Sequence, residues 1–295
     1  MNSIVNEIKQ SFKEGGTLVR LIYINLGVFL VFNILKAIFF LGGIDIGFSL
    51  SRYLAVPADL SNLAEKPWTI FTYMFFHEGF IHILFNLLWL YWLGKIFLSF
   101  MSERKMIGVY IMGGLSGAFM YILFFNVFPA FTEVLPVSYA LGASASVLAI
   151  VFAAATYAPN LSLNLMFIGP VKLKYIAAFM VVLDIIGIAG SNAGGHIAHL
   201  GGAIFGYLYI YSQKQGVNLA KPVDWFIDAF TTSPSTQRRR KMKVDHKKPT
   251  NDYEYNKMKA EKQAEIDRIL DKISKAGYDS LTAEEKKTLF KMKNE

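Results

Sequence analysis

Cysteine is absent from the chain, and charged residues are sparse over the first 212 of its 295 residues. Without cysteine, a disulfide framework and catalysis by a thiolate are excluded, and nothing indicates the redox compartment. Hydrophobic residues make up 54% of the chain. The alternative of a soluble protein is disfavoured, because core helices of soluble proteins keep a polar face and these stretches mostly do not.

Long apolar stretches dominate the first 212 residues. Each is about as long as the roughly 20 residues that a helix needs to cross about 30 Å of hydrocarbon. The first stretch is too long for a cleaved signal peptide and lacks a clear cleavage site. We therefore predict an all-α bundle of six transmembrane helices near residues 18–42, 68–99, 106–130, 137–159, 172–190 and 194–212.

Basic residues in short loops indicate the orientation of such a bundle. Lys9, Lys13 and Arg20 precede or begin the first predicted helix, and Arg104 and Lys105 follow the second. Lys172 and Lys174 lie at the start of the fifth, and a dense basic cluster follows the sixth, after residue 212. These positions share one side of a six-helix topology. We expect a multi-pass protein of the cell (inner) membrane with both ends cytoplasmic. The net charge of +8 is then a sign of topology and not of a nucleic-acid partner.

Strongly polar side chains fall at one depth of the predicted bundle. His77, His82 and Asn86 lie near the outer end of helix 2, Ser144 near that of helix 4 and His199 near that of helix 6. Polar groups inside a bilayer are costly and usually face a cavity, so we expect a single wet site. His82 and Asn86, four apart, share a helix face, whereas His77 and His82, five apart, diverge on helical geometry.

Small residues predict that helices 4 and 6 pack closely. They recur every fourth residue, as Ala145, Ala149 and Ala153 on helix 4 and as Ala198, Gly202 and Gly206 on helix 6. Such ridges let helix backbones approach each other in a membrane. Ser144 and His199 each lie one residue from a ridge, so a hydroxyl nucleophile and an imidazole base come within reach. The alternative is that Ser144 only bonds a carbonyl one turn earlier.

Two other kinds of site remain open at this point. A metal site of His82, His196 and His199 is conceivable, but no carboxylate or thiolate is evident to complete the ligand set. The spacing of HEGFIH does not match the zinc-binding HExxH pair. A transporter is disfavoured because paired broken helices and an inverted repeat are not evident.

The chain resembles the rhomboid intramembrane serine proteases over about residues 18–212. Three motifs carry the resemblance in the right order: H-x-x-x-N at His82 to Asn86, G-x-S-G at Gly142, Ala143, Ser144 and Ala145, and A-H-x-x-G-x-x-x-G at Ala198, His199, Gly202 and Gly206. Each motif alone is weak. All three in register are specific.

The resemblance implies a role for each matching residue. Ser144 is expected to be the nucleophile and His199 the general base, a dyad without a carboxylate, metal or cofactor. His82, Asn86 and the backbone N–H of Ser144 are expected to stabilise the oxyanion. His77 matches a second histidine that family members often carry before the H-x-x-x-N motif, nearer the surface. It is expected either to support hydration or loop order or to be an ordinary interfacial histidine.

The chain departs from the family pattern at three positions. Ala145 stands where glycine is usual after the nucleophile, and Leu148 where an aromatic residue often stacks on the imidazole. Thr69 follows Trp68 where many members have arginine. These changes leave the reacting atoms in place, but they bear on rate, imidazole orientation and anchoring of the first outer loop.

Polar sequence follows the predicted bundle. We predict a cytoplasmic segment at 1–17, the six-helix protease domain at 18–212, a basic flexible linker at 213–258 and a small helical domain at 259–295. The basic run from Arg238 to Lys243 suits anionic lipid headgroups, with RNA as an alternative. Ile266 to Ile273 gives one apolar helix face, Gly277 a C-cap, and Thr282 with Glu285 a capping box. The pair resembles a helical hairpin appended to some bacterial rhomboids, and its partner is unknown.

Two classes of function follow from this resemblance. One is an endopeptidase that cleaves transmembrane segments of single-pass proteins near the outer face. The other is a non-catalytic rhomboid-like protein that binds membrane helices. Relatives of the second kind generally lack the serine or the histidine, and this chain keeps both, which favours the protease.

Overall fold

The computed structural model describes residues 2–165, 168–231 and 252–292 of the chain. The described residues are mostly helical, and they separate into two units, residues 1–233 and 234–295. The first unit carries the predicted site. Its helices are α1 (Asn2–Glu14), α2 (Thr17–Leu41), α3 (Gly47–Leu54), α4 (Leu60–Glu65), α5 (Thr69–Thr72), α6 (Phe80–Leu98), α7 (Glu103–Val127), α8 (Ser144–Tyr157), α9 (Leu173–Gly187), α10 (Ala193–Lys214) and α11 (Lys221–Thr231).

Two short pairs of antiparallel strands complete the described part of the first unit. Strand β1 (Val56–Pro57) pairs with β2 (Tyr139–Ala140), with Val56 opposite Ala140. Strand β3 (Ser162–Leu165) pairs with β4 (Gly169–Lys172). The β1–β2 pair ties the segment after α3 to the segment that leads into α8. It therefore fixes the chain just before Ser144.

The prediction of a helical membrane protein is confirmed in outline. Among the described helices, α2, α6 and α7 are long and apolar enough to cross a membrane. Helix α8, with 14 residues, is apolar but shorter. Helices α9 and α10 occupy the fifth and sixth predicted stretches, with 15 and 22 residues.

Two predicted spans begin later than expected. The second, predicted from residue 68, contains α5, a 3-10 turn at 73–75 and an extended segment, and α6 begins only at Phe80. The fourth, predicted from residue 137, begins with β2, and α8 starts at Ser144. Gly142 has φ +121°, which no α-helix contains. Hydropathy averaged over the length of a membrane span does not locate these breaks, because the short non-helical segments lie between apolar residues.

Helices α8 and α10 pack through small residues, as the spacing predicted, and α7 also contacts α8 in this way. A Cβ added to Gly202 would lie 2.0 Å from the carbonyl oxygen of Ala145, and one on Gly206 would lie 2.2 Å from that of Ala149. A Cβ on Gly117 of α7 would lie 2.5 Å from the Cβ of Ala145. Backbone contact of this kind replaces the hydrophobic effect as the cause of helix association in lipid.

Helix α11 corrects the prediction of a flexible linker from residue 213. It occupies Lys221–Thr231, and its Asp224 and Asp228 both contact the Arg104 guanidinium at the start of α7, each at 2.7 Å. Ala220 is buried against Gly108, where an added Cβ would lie 2.6 Å away. The remainder of the predicted linker up to residue 251, including Arg238 to Lys243, lies outside the described residues.

The second unit contains α12 (Asp252–Ala276) and α13 (Ala283–Met292). Helix α12 is longer than the short helix predicted, and it begins before residue 259. Gly277 has φ +76°, as a C-cap glycine requires. The capping box is present: Thr282 N–H donates to the Glu285 carboxylate at 2.8 Å, and Glu285 N–H donates to Thr282 Oγ1 at 3.3 Å. Lys272 also donates to Glu285, which joins the two helices.

Candidate active site

Ser144 occupies the first position of α8, directly after a turn at Gly142. Gly142 N–H donates to the Tyr73 carbonyl at 2.9 Å, and its positive φ turns the chain into the helix. Ser144 is half-buried, and its Oγ makes no hydrogen bond to any described part of the chain. The bond to a carbonyl one turn earlier, the alternative role for this serine, is therefore not formed. Ser146, two residues on, is fully buried.

His77 contacts the turn that leads into Ser144. Its side chain is fully buried, and Nε2 accepts a hydrogen bond from Ala143 N–H at 3.2 Å. The rings of His77 and His82 lie 5.1 Å apart, edge to face. The expected divergence of these two residues is wrong, because His77 lies in the extended segment before α6 where helical geometry does not apply.

His82 and Asn86 lie on the first two turns of α6. The His82 ring lies against Gly142, where an added Cβ would be 2.7 Å from Cε1 and 2.9 Å from Nε2. Asn86 Nδ2 donates to the His82 carbonyl at 2.9 Å, which leaves its second N–H available. His82 therefore lies beside the loop that ends in Ser144, as a donor to an oxyanion at Ser144 would need.

One cavity of about 650 Å³ brings the predicted residues together. It lies between α6, α8, α9 and α10, and most of its wall is apolar. The polar side chains on its wall are His82, Asn86, Ser144, Asp184, Asn192, His196 and His199. The prediction that three helices contribute polar groups to one cavity is consistent with this arrangement. Within the described residues, no hydrogen bond joins Ser144 to His199.

Asp184 of α9 is the site residue that the sequence analysis missed. Its Oδ1 lies 2.8 Å from Nδ1 of His199 and 2.8 Å from Nδ1 of His196. The side chain is buried, with 6% of the residue exposed. The expectation that no carboxylate contacts the imidazole is wrong. A signal was present in the sequence, because a single acidic residue in an apolar stretch usually marks a functional site.

The predicted metal ligands also require correction. The groups that converge are Asp184, His196 and His199, whose ligand atoms lie within 4.8 Å of one another, and His82 is not among them. A carboxylate is therefore available after all. The 2.8 Å separations are hydrogen-bond lengths, and each histidine directs Nδ1 at the carboxylate oxygen itself.

The three departures from the family motif are accommodated locally. Gly117 leaves space for the methyl group of Ala145, and Leu148 lines the cavity where it is only 8% exposed. Thr69 is buried and its hydroxyl donates to the Lys66 carbonyl at 2.7 Å. Trp68 Nε1 donates to the Tyr53 carbonyl at 2.9 Å. These bonds anchor the first loop without an arginine.

Two family models and a curated relative match parts of the chain. A rhomboid domain family model matches residues 64–215, and a family of unknown function (DUF6576) matches residues 249–291. Presenilin-associated rhomboid-like protein A, mitochondrial, from Danio rerio is 31% identical over 139 residues, which are 46% of this chain and 35% of the zebrafish protein. This chain thus aligns with about a third of that relative. Because the rhomboid model covers just over half of the residues, the chain belongs to the rhomboid family.

Proposed function

We propose that the chain is an intramembrane serine endopeptidase that cleaves transmembrane segments of single-pass proteins near the outer membrane face. In this proposal α2, α6, α7, α8, α9 and α10 cross the cell (inner) membrane, and both chain ends are cytoplasmic. The supporting observation is the cavity that holds the unbonded Ser144 hydroxyl together with His82 and Asn86 of α6 and His199 of α10. Membrane lipids and transmembrane substrates are the partners, and the tail's partner is unassigned.

The first chemical step uses Ser144 and His199. Ser144 Oγ attacks the carbonyl carbon of the scissile peptide as its proton passes to Nε2 of His199. The absence of a serine–histidine bond does not oppose this step, because catalytic hydrogen bonds are often long before substrate binds. The imidazolium then gives the proton to the leaving amine. Water hydrolyses the acyl-enzyme by the reverse sequence.

Charge develops on the carbonyl oxygen during this attack. Ser144 is the first residue of α8, so its backbone N–H has no partner within the helix. The positive end of the α8 dipole adds to this effect. His82 and the free N–H of Asn86 supply side-chain donors. Each donor aimed at the developing charge contributes about 3 kcal/mol in comparable sites.

Substrate binding requires local unwinding of a membrane helix. Helical carbonyls are already hydrogen-bonded, and peptide groups avoid exposure to lipid. A polar cavity of this volume offers the unwound peptide alternative partners. We therefore expect cleavage where a substrate helix contains residues that weaken it near the outer face.

A labelling and cleavage experiment tests the proposal. Purified protein is treated with a fluorophosphonate and assayed on a reporter membrane helix. Ser144→Ala should abolish both signals and His199→Ala should abolish cleavage. Ser146→Ala, on the same helix but buried away from the cavity, is the matched control and should retain both. A wild-type protein that neither labels nor cleaves would favour the non-catalytic helix-binding function instead.

A chelator distinguishes the remaining alternative. Asp184, His196 and His199 lie close enough to suggest a metal site, and metal-assisted hydrolysis needs a bound ion to generate hydroxide. We expect cleavage to survive treatment with EDTA. Cleavage that EDTA removes and zinc restores, with unaltered turnover in Ser144→Ala, would contradict the serine mechanism.

A further inference from the structure

A carboxylate in the middle of α9 needs a physical reason. Asp184 lies among apolar residues on this helix, whose sequence is LKYIAAFMVVLDIIG. A buried carboxylate is unfavourable unless it is paired and hydrogen-bonded. Both of its observed partners are histidines of α10, and one of them is His199.

The geometry determines which nitrogen of each histidine carries its proton. An ionised carboxylate can only accept hydrogen bonds. Oδ1 of Asp184 lies 2.8 Å from Nδ1 of both rings, so an ionised Asp184 requires both Nδ1 atoms to be donors. In a neutral imidazole the other nitrogen then has a free lone pair. Nε2 of His199 is therefore in the form that accepts a proton.

We propose that Asp184 is a positioning residue that completes a Ser144–His199–Asp184 relay in this rhomboid, an inference that rests on the proposed function. The carboxylate holds Nδ1–H of His199, so that Nε2 is the basic nitrogen and the ring is fixed. When Ser144 Oγ bonds to the substrate carbon, its proton moves to Nε2. The proton on Nδ1 stays in place, and the negative carboxylate stabilises the resulting imidazolium.

His196 permits a test against a purely structural role. It donates to the same carboxylate oxygen as His199, and its ring packs on Gly187 of α9, where an added Cβ would lie 2.4 Å from Nε2. If Asp184 merely fastened α9 to α10, loss of the carboxylate and loss of His196 would both lower stability, and kcat of the folded protein would change little in either variant. If it acts through His199, loss of the carboxylate is far more damaging than loss of His196.

The experiment compares variants of the full chain in kcat and KM on the reporter helix. Asp184→Asn should lower kcat by about 100-fold or more, as loss of the orienting carboxylate does in serine proteases, with KM changed less than threefold. His196→Gln should lower kcat at least tenfold less than Asp184→Asn does. Fluorophosphonate labelling of Ser144 should slow in parallel with kcat.

A matched pair keeps the test decisive if Asp184→Asn fails to fold. In the pair Asp184→Glu and Asp184→Gln, the two new side chains have nearly equal volumes, and only the glutamate carries a carboxylate. Glu should restore turnover at least tenfold relative to Gln. Equal turnover of the pair, or equal losses in Asp184→Asn and His196→Gln, would overturn the inference.

The outcomes separate this inference from the proposed function. If Ser144→Ala is inactive while Asp184→Asn turns over like the wild type, the serine mechanism stands and only the positioning role fails. If Ser144→Ala still cleaves, the proposed function fails, and the relay fails with it.

Discussion

Gly202 of α10 contacts the backbone of Ala145 so closely that a Cβ at Gly202 would lie 2.0 Å from the Ala145 carbonyl oxygen. Ala145 follows Ser144 directly, and Gly202 follows His199 by three residues, less than one helical turn. The same kind of contact recurs one turn later, where a Cβ at Gly206 would lie 2.2 Å from the Ala149 carbonyl oxygen. The spacing of α8 and α10 thus sets how far the proposed nucleophile lies from its base.

Gly202→Ala should lower both stability and turnover. The added methyl group must push α8 and α10 apart, and overpacking of this kind costs about 1–3 kcal/mol. We expect a lower unfolding temperature in detergent and a loss of reporter cleavage of at least tenfold. Gly27→Ala on α2 is the control, because no neighbouring atom lies within 4 Å of the position its Cβ would occupy. Equal behaviour of the two variants would show that the close contact is unimportant.

Gly142→Ala should impair turnover more than stability. Residue 142 has φ +121°, which costs an L-residue about 1–3 kcal/mol. The new Cβ would also lie only 2.7 Å from His82 Cε1, so the His82 ring would have to move. Gly43→Ala is the matched control, since φ is +78° there but the space around it is open. Both variants should lose similar stability, and only Gly142→Ala should lose cleavage. Loss of cleavage in both would indicate a general effect of backbone strain.

Local pattern was sufficient to predict that α8 and α10 pack closely. Apolar length indicated the helices, and the four-residue spacing of Gly202 and Gly206 predicted their contact with α8. The partner of His199 was not predictable in the same way. Asp184 lies 15 residues earlier, across the α9–α10 connection, and only the packing of two helices brings the side chains together. His77 was predicted to lie within the second membrane helix because the apolar stretch was read as a helix from residue 68. Helix α6 begins only at Phe80.

The α12–α13 unit should lose stability in acid. Hydrogen bonds from Lys272 and from the backbone of Thr282 lower the pKa of Glu285 from 4.5 to about 2. Because the folded pKa is depressed, this stabilisation is present above about pH 4.5 and is lost as the pH falls towards 2. Thermal unfolding of a 249–295 fragment, followed by circular dichroism, should show this dependence. Glu285→Gln should reduce it, and Glu284→Gln should leave it in place; a steeper acid loss in Glu285→Gln would contradict the assignment.

Truncation should separate the contribution of α11 from that of the tail. A chain that ends at residue 233 keeps the whole first unit, and we expect reporter cleavage within twofold of the full chain. The length of α10 is the reason for this expectation. Fifteen residues separate His199 from Lys214, which is about 22 Å at the helical rise. The proton transfers at Ser144 therefore need no group from the tail.

A chain that ends at residue 216 should behave differently. It lacks α11, so Arg104 loses Asp224 and Asp228, and the surface at Gly108 loses Ala220. The ion pairs are exposed enough for solvent to screen them, so we expect a lower unfolding temperature with cleavage reduced several-fold but not abolished. Asp224→Asn with Asp228→Asn in the 233-residue chain should reproduce part of that loss. If the 216-residue chain matches the 233-residue chain in both measurements, α11 does not stabilise the bundle, and its contact with Arg104 is incidental.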